Sequence, residues 1–247
     1  NFLIQQFIHR FEIQMDEVAE PSLDAYAHFN AFFTRALRKG IRPLAGYGHI
    51  ASPADGTVFT GGGLSHDVRL TAKGHHFSLT ELFGLADYEK TYQDGHYLTI
   101  YLSPKDYHRV HCPMDGELKH MVHVPGRLFS VNESTTTSIP AVFARNERVI
   151  MHFKGKNGPF SVVLVGAMLV ASIETPFSRV FTSFAEFCRV FATFHDFSPV
   201  FVTLQFYGEF YHLINNVFQK HPPFPARRNV IFVFDSFKRI RENSRKL

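Results

Sequence analysis

The sequence lacks the residues that mark several common protein classes. Its 247 residues contain no tryptophan and two cysteines, Cys112 and Cys188. Two cysteines do not make the disulfide framework of a small secreted protein, so a reducing compartment is expected. No apolar run reaches the roughly 20 residues that a membrane-spanning helix needs. No cleavable signal peptide is visible, although the chain begins at Asn1 and we expect an N-terminal segment to be missing.

Several chemical motifs are also missing. The sequence has no phosphate-binding loop, no dinucleotide-binding glycine fingerprint, and neither HExxH nor CxxC. Its 15 histidines raise the question of a metal site, because His108 and His111 are three positions apart, as are His120 and His123. Residues three apart on a strand face opposite sides, so these pairs would chelate only where the backbone turns. We therefore expect no metal, and expect most histidines to be structural or partly exposed.

Charge and glycine are distributed unevenly along the chain. Residues 1–175 have a net charge of −1 and hold 15 of the 16 glycines, whereas residues 176–247 have a net charge of +5. The basic end could bind anionic lipid or nucleic acid, or could be a solvated tail. Of these partners we expect an anionic membrane surface and no nucleic acid.

A ten-residue repeat rich in phenylalanine opens this last region. Phe177–Glu186 and Phe187–Asp196 share nearly the same pattern, with phenylalanines spaced by threes and fours. On a helix these side chains would form one apolar stripe, which Pro199 would end. Three interpretations stay open: a helix on a membrane surface, an ordinary core helix, and low-complexity sequence from a misread or frame-shifted coding region. We favour the third, because glycine is lost abruptly and the repeat is regular.

The first 175 residues predict an α+β fold, with N-terminal helices followed by a mostly antiparallel β core. Short helices are expected at 2–11 and 23–37. The β signal begins near His49 and gives strands at 97–102, 117–124, 147–153 and 160–173, with turns at Gly61–Gly63 and Asn157–Pro159. We divide the chain into a helical, membrane-proximal region (1–47), a β-rich catalytic body (48–175) and an atypical Phe-rich segment (176–247).

The segment Tyr101–Pro113 concentrates the chemistry. It reads YLSPKDYHRVHCP and places a carboxylate, two histidines and a proline at the end of an apolar strand. An imidazole held in this way can transfer protons near neutral pH. Polar residues also gather in Ser52–Thr57, in Ala72–Leu79 with its two adjacent histidines, and in Phe129–Asn132 together with Phe143–Ile150.

Together these segments resemble the phosphatidylserine decarboxylases, over about residues 6–175. Eight pieces occur in the same order as in that family. They are Phe29–Arg38 (FNAFFTRALR), Pro53–Gly56 (PADG), Ala72–His75 (AKGH), Tyr101–His111 (YLSPKDYHRVH), Pro125–Gly126, Leu128–Asn132 (LFSVN), Phe143–Val149 (FARNERV) and Val165–Ala167 with Ser172–Thr175.

The resemblance implies a pyruvoyl-dependent lyase that is made as a proenzyme. Such enzymes cleave themselves at a Gly-Ser bond, and the serine becomes a covalent pyruvoyl group on a small α-subunit. The implied substrate is phosphatidylserine and the implied products are phosphatidylethanolamine and CO2, with the pyruvoyl ketone as electron sink. The resemblance also implies a peripheral protein of the bacterial or mitochondrial inner membrane.

The resemblance assigns site residues by motif. Asp55 is expected to be the aspartate, and His111 the general base, of an Asp–His–Ser arrangement that performs the self-cleavage. In such an arrangement the carboxylate fixes the tautomer of the imidazole. His108 and His75 are expected in the substrate site or beside the catalytic pair, and Arg35 is expected to be structural.

The sequence departs from the family after Thr175. No Gly-Ser pair occurs in the 247 residues, and the only Gly-Thr pair is Gly56-Thr57. No residue can therefore be assigned as the pyruvoyl precursor, and we expect this chain neither to process itself nor to decarboxylate. We also expect the missing strands to leave a sheet edge open.

An alternative interpretation is a non-catalytic lipid-binding protein at the membrane surface. Its basic C-terminal segment would attract anionic lipid. Its apolar contacts would come from the first helix, through Phe2, Leu3, Phe7, Ile8 and Phe11.

Overall fold

The computed structural model describes residues 1–43, 49–64, 69–72, 75–131, 133–167, 173 and 230–236. The helices in these ranges are α1 (Phe2–Phe11), α2 (Phe29–Phe33), α3 (Leu79–Phe83), α4 (Glu89–Tyr92), α5 (Glu133–Ser138) and α6 (Val142–Arg145). The strands are β1 (Thr57–Gly63), β2 (Arg69–Ala72), β3 (His75–Ser78), β4 (His96–Leu102), β5 (Gly116–Val124), β6 (Arg148–Gly155), β7 (Gly158–Val165) and β8 (Val230–Ser236). The α+β class is thereby confirmed. The boundary expected at residue 47 and the phenylalanine repeat lie outside the described residues.

The second predicted helix is shorter than expected. Residues 23–37 form a 3-10 turn at Leu23–Ala25 and then the five-residue α2. Between them His28 is extended, and its Nδ1 accepts a hydrogen bond of 3.1 Å from the Ala31 N–H, which starts a new helix. Aromatic residues and asparagine are weak helix formers, so the burial of Phe32 and Phe33 stabilises α2 more than propensity does.

Six strands form the main sheet, in the order β1-β4-β8-β7-β6-β5. The pairs β1–β4, β5–β6 and β6–β7 are antiparallel, whereas β8 runs parallel to both of its neighbours. A separate antiparallel pair joins β2 and β3. The β6–β7 pair is antiparallel because the two-residue turn that joins these strands can only reverse the chain.

The C-terminal segment contributes β8 to the middle of the sheet, although we expected missing strands to leave an edge open. This strand comes from the atypical C-terminal segment and lies between β4 and β7, with Leu98 opposite Phe232 and Val162 opposite Phe232 on the other side. Its sequence, VIFVFDS, is rich in the β-branched and aromatic residues that favour strands. The edges of the sheet are β1 and β5.

Gly61–Gly63 also differ from the prediction, because they lie within β1 and not in a turn. A Cβ on Gly61 would lie 3.1 Å from the Tyr97 carbonyl oxygen of β4, so close approach of the two strands explains the glycine there. The turn predicted at Asn157–Pro159 is confirmed only at Asn157: the turn consists of Lys156 and Asn157, and Gly158 and Pro159 begin β7. Gly155 pairs with Gly158, whose φ of 135° is accessible to glycine and rare for other residues.

The sheet separates two apolar clusters, because successive strand residues point to opposite faces. One cluster contains Tyr97 of β4 and Ile150 of β6 and is covered by α3, α4 and α6. The other contains Leu98 and Ile100 of β4 and is covered by the chain around Ala54 and Val110. The segments that carry Asp55 and His111 thus lie on the second face.

The N-terminal helices form a third apolar cluster, with Ile4, Ile13 and Phe32 at its centre. Phe7 of α1 contacts Phe29 of α2 edge-on, with 4.9 Å between ring centroids. None of the described helices has the length and apolar character needed to cross a bilayer.

Candidate active site

The candidate site begins where β4 ends. After Leu102 the backbone turns, and the Ser103 N–H donates a 2.6 Å hydrogen bond to Oδ2 of Asp106. Such an aspartate-closed turn reverses the chain without a glycine. Burial raises the pKa of the Asp106 carboxyl, against the lowering effect of this hydrogen bond. The turn directs residues 107–113 back along the sheet.

Two backbone hydrogen bonds bring the aspartate motif beside the histidine motif. The His111 N–H donates to the Pro53 carbonyl at 2.8 Å, and the Ala51 N–H donates to the Pro113 carbonyl at 2.9 Å. Residues 51–53 and 111–113 therefore run side by side. Gly56 is required nearby, because a Cβ there would lie 2.4 Å from the Tyr101 carbonyl oxygen.

An ion-pair triad holds the Asp55 carboxylate. Arg42 donates from Nε to Asp55 Oδ2 at 2.9 Å, and its Nη2 also lies 2.7 Å from that oxygen. The same guanidinium binds both carboxylate oxygens of Glu17, at 3.1 and 2.7 Å. The hydrogen bond from Arg42 lowers the pKa of the Glu17 carboxyl. Because Arg42 and Glu17 precede the β body, the triad links the N-terminal region to the site.

The His111 ring faces Tyr107. Its Nε2 lies 3.2 Å from the Tyr107 hydroxyl, and the two rings stack with centroids 5.6 Å apart and an interplanar angle of 18°. Burial, assisted by the positive charge of Arg109, lowers the pKa of His111 to about 4. The imidazole is therefore neutral at pH 7, which is the form that accepts a proton.

The two predicted catalytic residues lie on neighbouring backbone segments but are not hydrogen-bonded to each other. Asp55 Oδ2 is held by Arg42, and His111 Nε2 by Tyr107. In the described part of the chain, Asp55 Oδ1 and His111 Nδ1 make no hydrogen bond to each other or to other groups. The carboxylate–imidazole pair of the predicted Asp–His–Ser arrangement is therefore not formed in this structure.

His108 lies on the other side of the same loop. Its ring contacts Phe33 of α2 with 3.9 Å between centroids, and its Nδ1 lies 2.9 Å from the Asp106 carbonyl oxygen. Burial lowers the pKa of His108 to about 4. Phe33 and the loop thus fix the imidazole between the N-terminal helices and the β body.

His75 lies in a different place. It belongs to β3, where its Nε2 lies 2.8 Å from the Thr137 carbonyl oxygen. Its neighbour Phe77 belongs to the apolar cluster on the first face of the sheet, whereas the His111 loop packs on the second. The structure therefore does not bring His75 to the Asp55 and His111 segments.

The arrangement can accept and deliver a proton at a partly buried imidazole. It carries no cluster of three or more metal-binding side chains among the described residues. It also includes residues that the sequence analysis did not single out, namely Glu17, Arg42 and Tyr107. The position of Tyr107 in the histidine motif was a usable signal. Arg42 and Glu17 gave none, because they lie in unremarkable polar sequence.

The sequence of the chain matches a known protein family and several curated proteins. A model described as phosphatidylserine decarboxylase matches residues 29–200, which is more than two thirds of the chain. The chain belongs to the phosphatidylserine decarboxylase family. The match extends beyond Thr175, where the motif resemblance ended, and stops before β8.

Curated relatives named phosphatidylserine decarboxylase proenzyme are about half identical to the chain. The protein from Ectopseudomonas mendocina is 52% identical over 185 residues, or 74% of this chain and 64% of its own length. The protein from Pseudomonas aeruginosa strain LESB58 is 51% identical over 73% of this chain and 63% of its own length. The protein from Methylibium petroleiphilum is 49% identical over 70% and 61%. The chain thus matches less than two thirds of each relative's length.

Proposed function

We propose that this chain derives from an enzyme that decarboxylates phosphatidylserine to phosphatidylethanolamine, and that the 247 residues as they stand do not process themselves. The proposal is carried by one observation: the aspartate and histidine motifs of the decarboxylase family lie on backbone segments joined by the His111–Pro53 hydrogen bond. Asp55 would orient His111, and the neutral His111 would take a proton from a hydroxyl.

The residues present do not fit the family's pyruvoyl group. That group is made from a serine after glycine, and no Gly-Ser pair occurs in the sequence. In the described structure the His111 Nε2 faces a tyrosine hydroxyl, and a tyrosine cannot supply the required ketone. We therefore derive no chemical step through a pyruvoyl group in this chain.

Self-processing is the first testable consequence. We expect the purified chain to run as a single band on a denaturing gel and to release no CO2 from phosphatidylserine. Mass spectrometry should find the intact chain and no fragment with a pyruvoyl-blocked N-terminus. A cleaved chain carrying that blocked fragment would contradict the proposal that this chain cannot process itself.

A chimera tests the family function separately. Residues 1–175 would be joined to the C-terminal part of the Ectopseudomonas mendocina relative that follows the corresponding position. We expect this chimera to cleave itself and to release CO2 from phosphatidylserine, and we expect Asp55→Asn and His111→Ala to abolish both. A folded chimera that does neither, or one that keeps processing in both variants, would overturn the roles proposed here.

A lipid-surface function is a second candidate, and the exposure of α1 favours it. Phe2 and Leu3 are 70% and 71% exposed, and Phe29 of the adjoining α2 is 37% exposed. His9 and Arg10 lie in the last turn of α1. Exposed apolar side chains beside basic ones are typical of helices that lie in a membrane interface.

Vesicle flotation tests this second candidate. We expect the chain to float with vesicles that contain phosphatidylserine, and the double variant Phe2→Ser with Leu3→Ser to lose roughly tenfold in partitioning, since about 1.5 kcal/mol of apolar burial is removed. Leu85→Ser is the matched control, because Leu85 is 38% exposed and lies outside α1. Glutamine in place of the basic residues that follow β8 (Lys238, Arg239, Arg241, Arg245 and Lys246) measures the contribution of the basic segment and keeps β8 in the sheet. Unchanged flotation of the double variant would exclude α1 as the contact.

A further inference from the structure

Two arginines are almost completely buried, and their surroundings differ. Arg148 is 3% exposed and donates three hydrogen bonds, to the carbonyl oxygens of Leu82, Asn146 and Glu81. Arg35 is 4% exposed and donates one, from Nη2 to the Lys105 carbonyl at 3.1 Å. Its Nε and Nη1 are buried and have no hydrogen-bond partner among the described residues. Buried arginine donors are ordinarily paired, so Arg35 is the exception.

The charge of Arg35 is a separate problem from its hydrogen bonds. No carboxylate oxygen within salt-bridge distance of Arg35 occurs in the described part of the chain. Asp106 is near enough to act on Arg35 electrostatically, but its Oδ2 accepts the Ser103 N–H. Arg148 is equally buried and also has no carboxylate partner in the described part of the chain, so the charge alone does not require an anion. The two unpaired donors distinguish Arg35, and an anion with two acceptor oxygens would bind both in the forked geometry of a guanidinium.

His108 provides a hydrogen-bond acceptor in the neighbourhood of the Arg35 donors. Its Nδ1 lies beside the Asp106 carbonyl oxygen, which can only accept, so the ring proton is on Nδ1. In the neutral ring Nε2 is then an acceptor, and this buried atom has no partner in the part of the chain that the structure describes. The positive charge of Arg35 acts on His108 and disfavours its protonation, which places the two side chains in one electrostatic neighbourhood. Nε2 of His108 can thus accept a hydrogen bond from an N–H group, while Nε and Nη1 of Arg35 can donate to an oxyanion.

An apolar contact path leads from this pair toward the exposed end of α1. The Arg35 guanidinium lies over the Phe32 ring at 5.1 Å, and the His108 ring contacts Phe33. Phe33 stacks on Phe29 at 5.8 Å, and Phe29 contacts Phe7 of α1. The polar pair therefore lies behind aromatic side chains of the helices whose outer residues are exposed.

We propose that Arg35 and His108 bind the polar head group of an aminophospholipid, with an oxyanion of the head group on Arg35 and its ammonium group donating to Nε2 of His108. This inference rests on the proposed function for its substrate class, and it assigns to Arg35 a binding role in place of the structural role expected from its motif. The unpaired atoms are shielded from solvent, so covering side chains must move aside for the head group to enter.

A binding experiment on the full chain tests this site without turnover. The probe is glycerophosphoserine, the water-soluble head group, titrated by calorimetry and by the rise in melting temperature. We expect Arg35→Lys to weaken binding about tenfold, because the ammonium replaces a forked contact by a single one. We expect Arg35→Met to abolish measurable binding. Arg38→Met is the matched control, because Arg38 is exposed and belongs to the same segment, and it should bind as the parent does.

The remaining arms separate the possible ligands. Inorganic phosphate carries the oxyanion alone, and glycerophosphocholine has a quaternary ammonium that cannot donate a hydrogen bond, so both should bind at least about tenfold more weakly than glycerophosphoserine. Equal binding of phosphate would overturn the head-group assignment.

No binding to the folded parent, or equal weakening by Arg35→Lys and Arg38→Met, would overturn the site. If Arg35→Met does not fold by circular dichroism, Arg35→Lys and the parent decide the question. Because no reaction is measured, an inactive chimera leaves this result unaffected.

Discussion

Acidification from pH 7 to pH 5 is expected to lower the free energy of unfolding by several kcal/mol. Burial lowers the pKa values of His108, His111 and His152 to about 4, from an ordinary value of 6.5. Between these values the unfolded chain binds more protons than the folded one, so stability falls as pH falls. Each of these pKa shifts accounts for a loss of about 2 kcal/mol in the free energy of unfolding between pH 7 and pH 5.

His152 gives the sharpest single-residue test of this expectation. Its ring stacks on Tyr88 with 3.8 Å between centroids, and its Nδ1 lies 2.7 Å from the Ser161 Oγ, inside the first apolar cluster. Protonation would place a charge in this cluster, where no described carboxylate forms an ion pair with the ring. We expect His152→Gln to unfold more easily than the parent at pH 7 and to lose less stability on going to pH 5.

The measurement is urea unfolding followed by circular dichroism at pH 7, 6 and 5. His9→Gln serves as the control, because His9 is exposed on α1, and its stability should follow the parent's pH dependence. The window lies above the pH at which Glu17 titrates, since the pKa of that carboxyl is lowered. A parent stability that stays constant from pH 7 to pH 5 would contradict the burial of these three rings.

Replacing Arg148 by methionine is expected to cost about 3 kcal/mol or more, because three buried carbonyl groups lose their donors. Two of these carbonyls, those of Glu81 and Leu82, belong to the last turn of α3, where a helix has no internal donors for them. Burial lowers the pKa of Arg148 to about 10, so the guanidinium remains charged at neutral pH. Arg148 therefore closes α3 onto β6.

Chemical denaturation at pH 7 measures this effect. Arg148→Lys should fall between the parent and the methionine variant, because one ammonium cannot reach all three carbonyls in the geometry of the planar fork. Arg127→Met is the control for removing a positive charge, since Arg127 is exposed, and its stability should lie within about 0.5 kcal/mol of the parent. If Arg148→Met is as stable as that control, the three hydrogen bonds do not stabilise the fold.

The strands of the β body could be predicted because their pattern is local. The apolar runs over 97–102 and 160–173 and the turn signal at Asn157–Pro159 predict β4, β7 and the β6–β7 hairpin without knowledge of the partners, although β7 ends at Val165. The second helix was predicted too long, because residues 23–37, including the phenylalanines of α2, were assigned to one helix. The structure shows that His28 interrupts that helix by capping a new one.

Long-range pairing could not be predicted in the same way. The residues of β8 lie more than 60 positions after those of β7 and more than 125 after those of β4, yet they pair with both. Local sequence shows that VIFVFDS favours a strand, but it contains no information about which strands it joins. The change of composition at Thr175 led us to expect missing strands, although β8 from that segment pairs in the middle of the sheet.

The sequence by itself determined the family, because eight ordered motifs are a chemical signature that needs no coordinates, and it determined the absence of a Gly-Ser pair. Only the tertiary structure decided how the site is held. It joined Arg42 to Glu17 and Asp55, turned His111 toward Tyr107, and gave two donors of the buried Arg35 no partner among the described residues. The physical reason is that charge pairing and burial depend on which side chains meet in space, and segments distant in the chain meet only when the sheet forms.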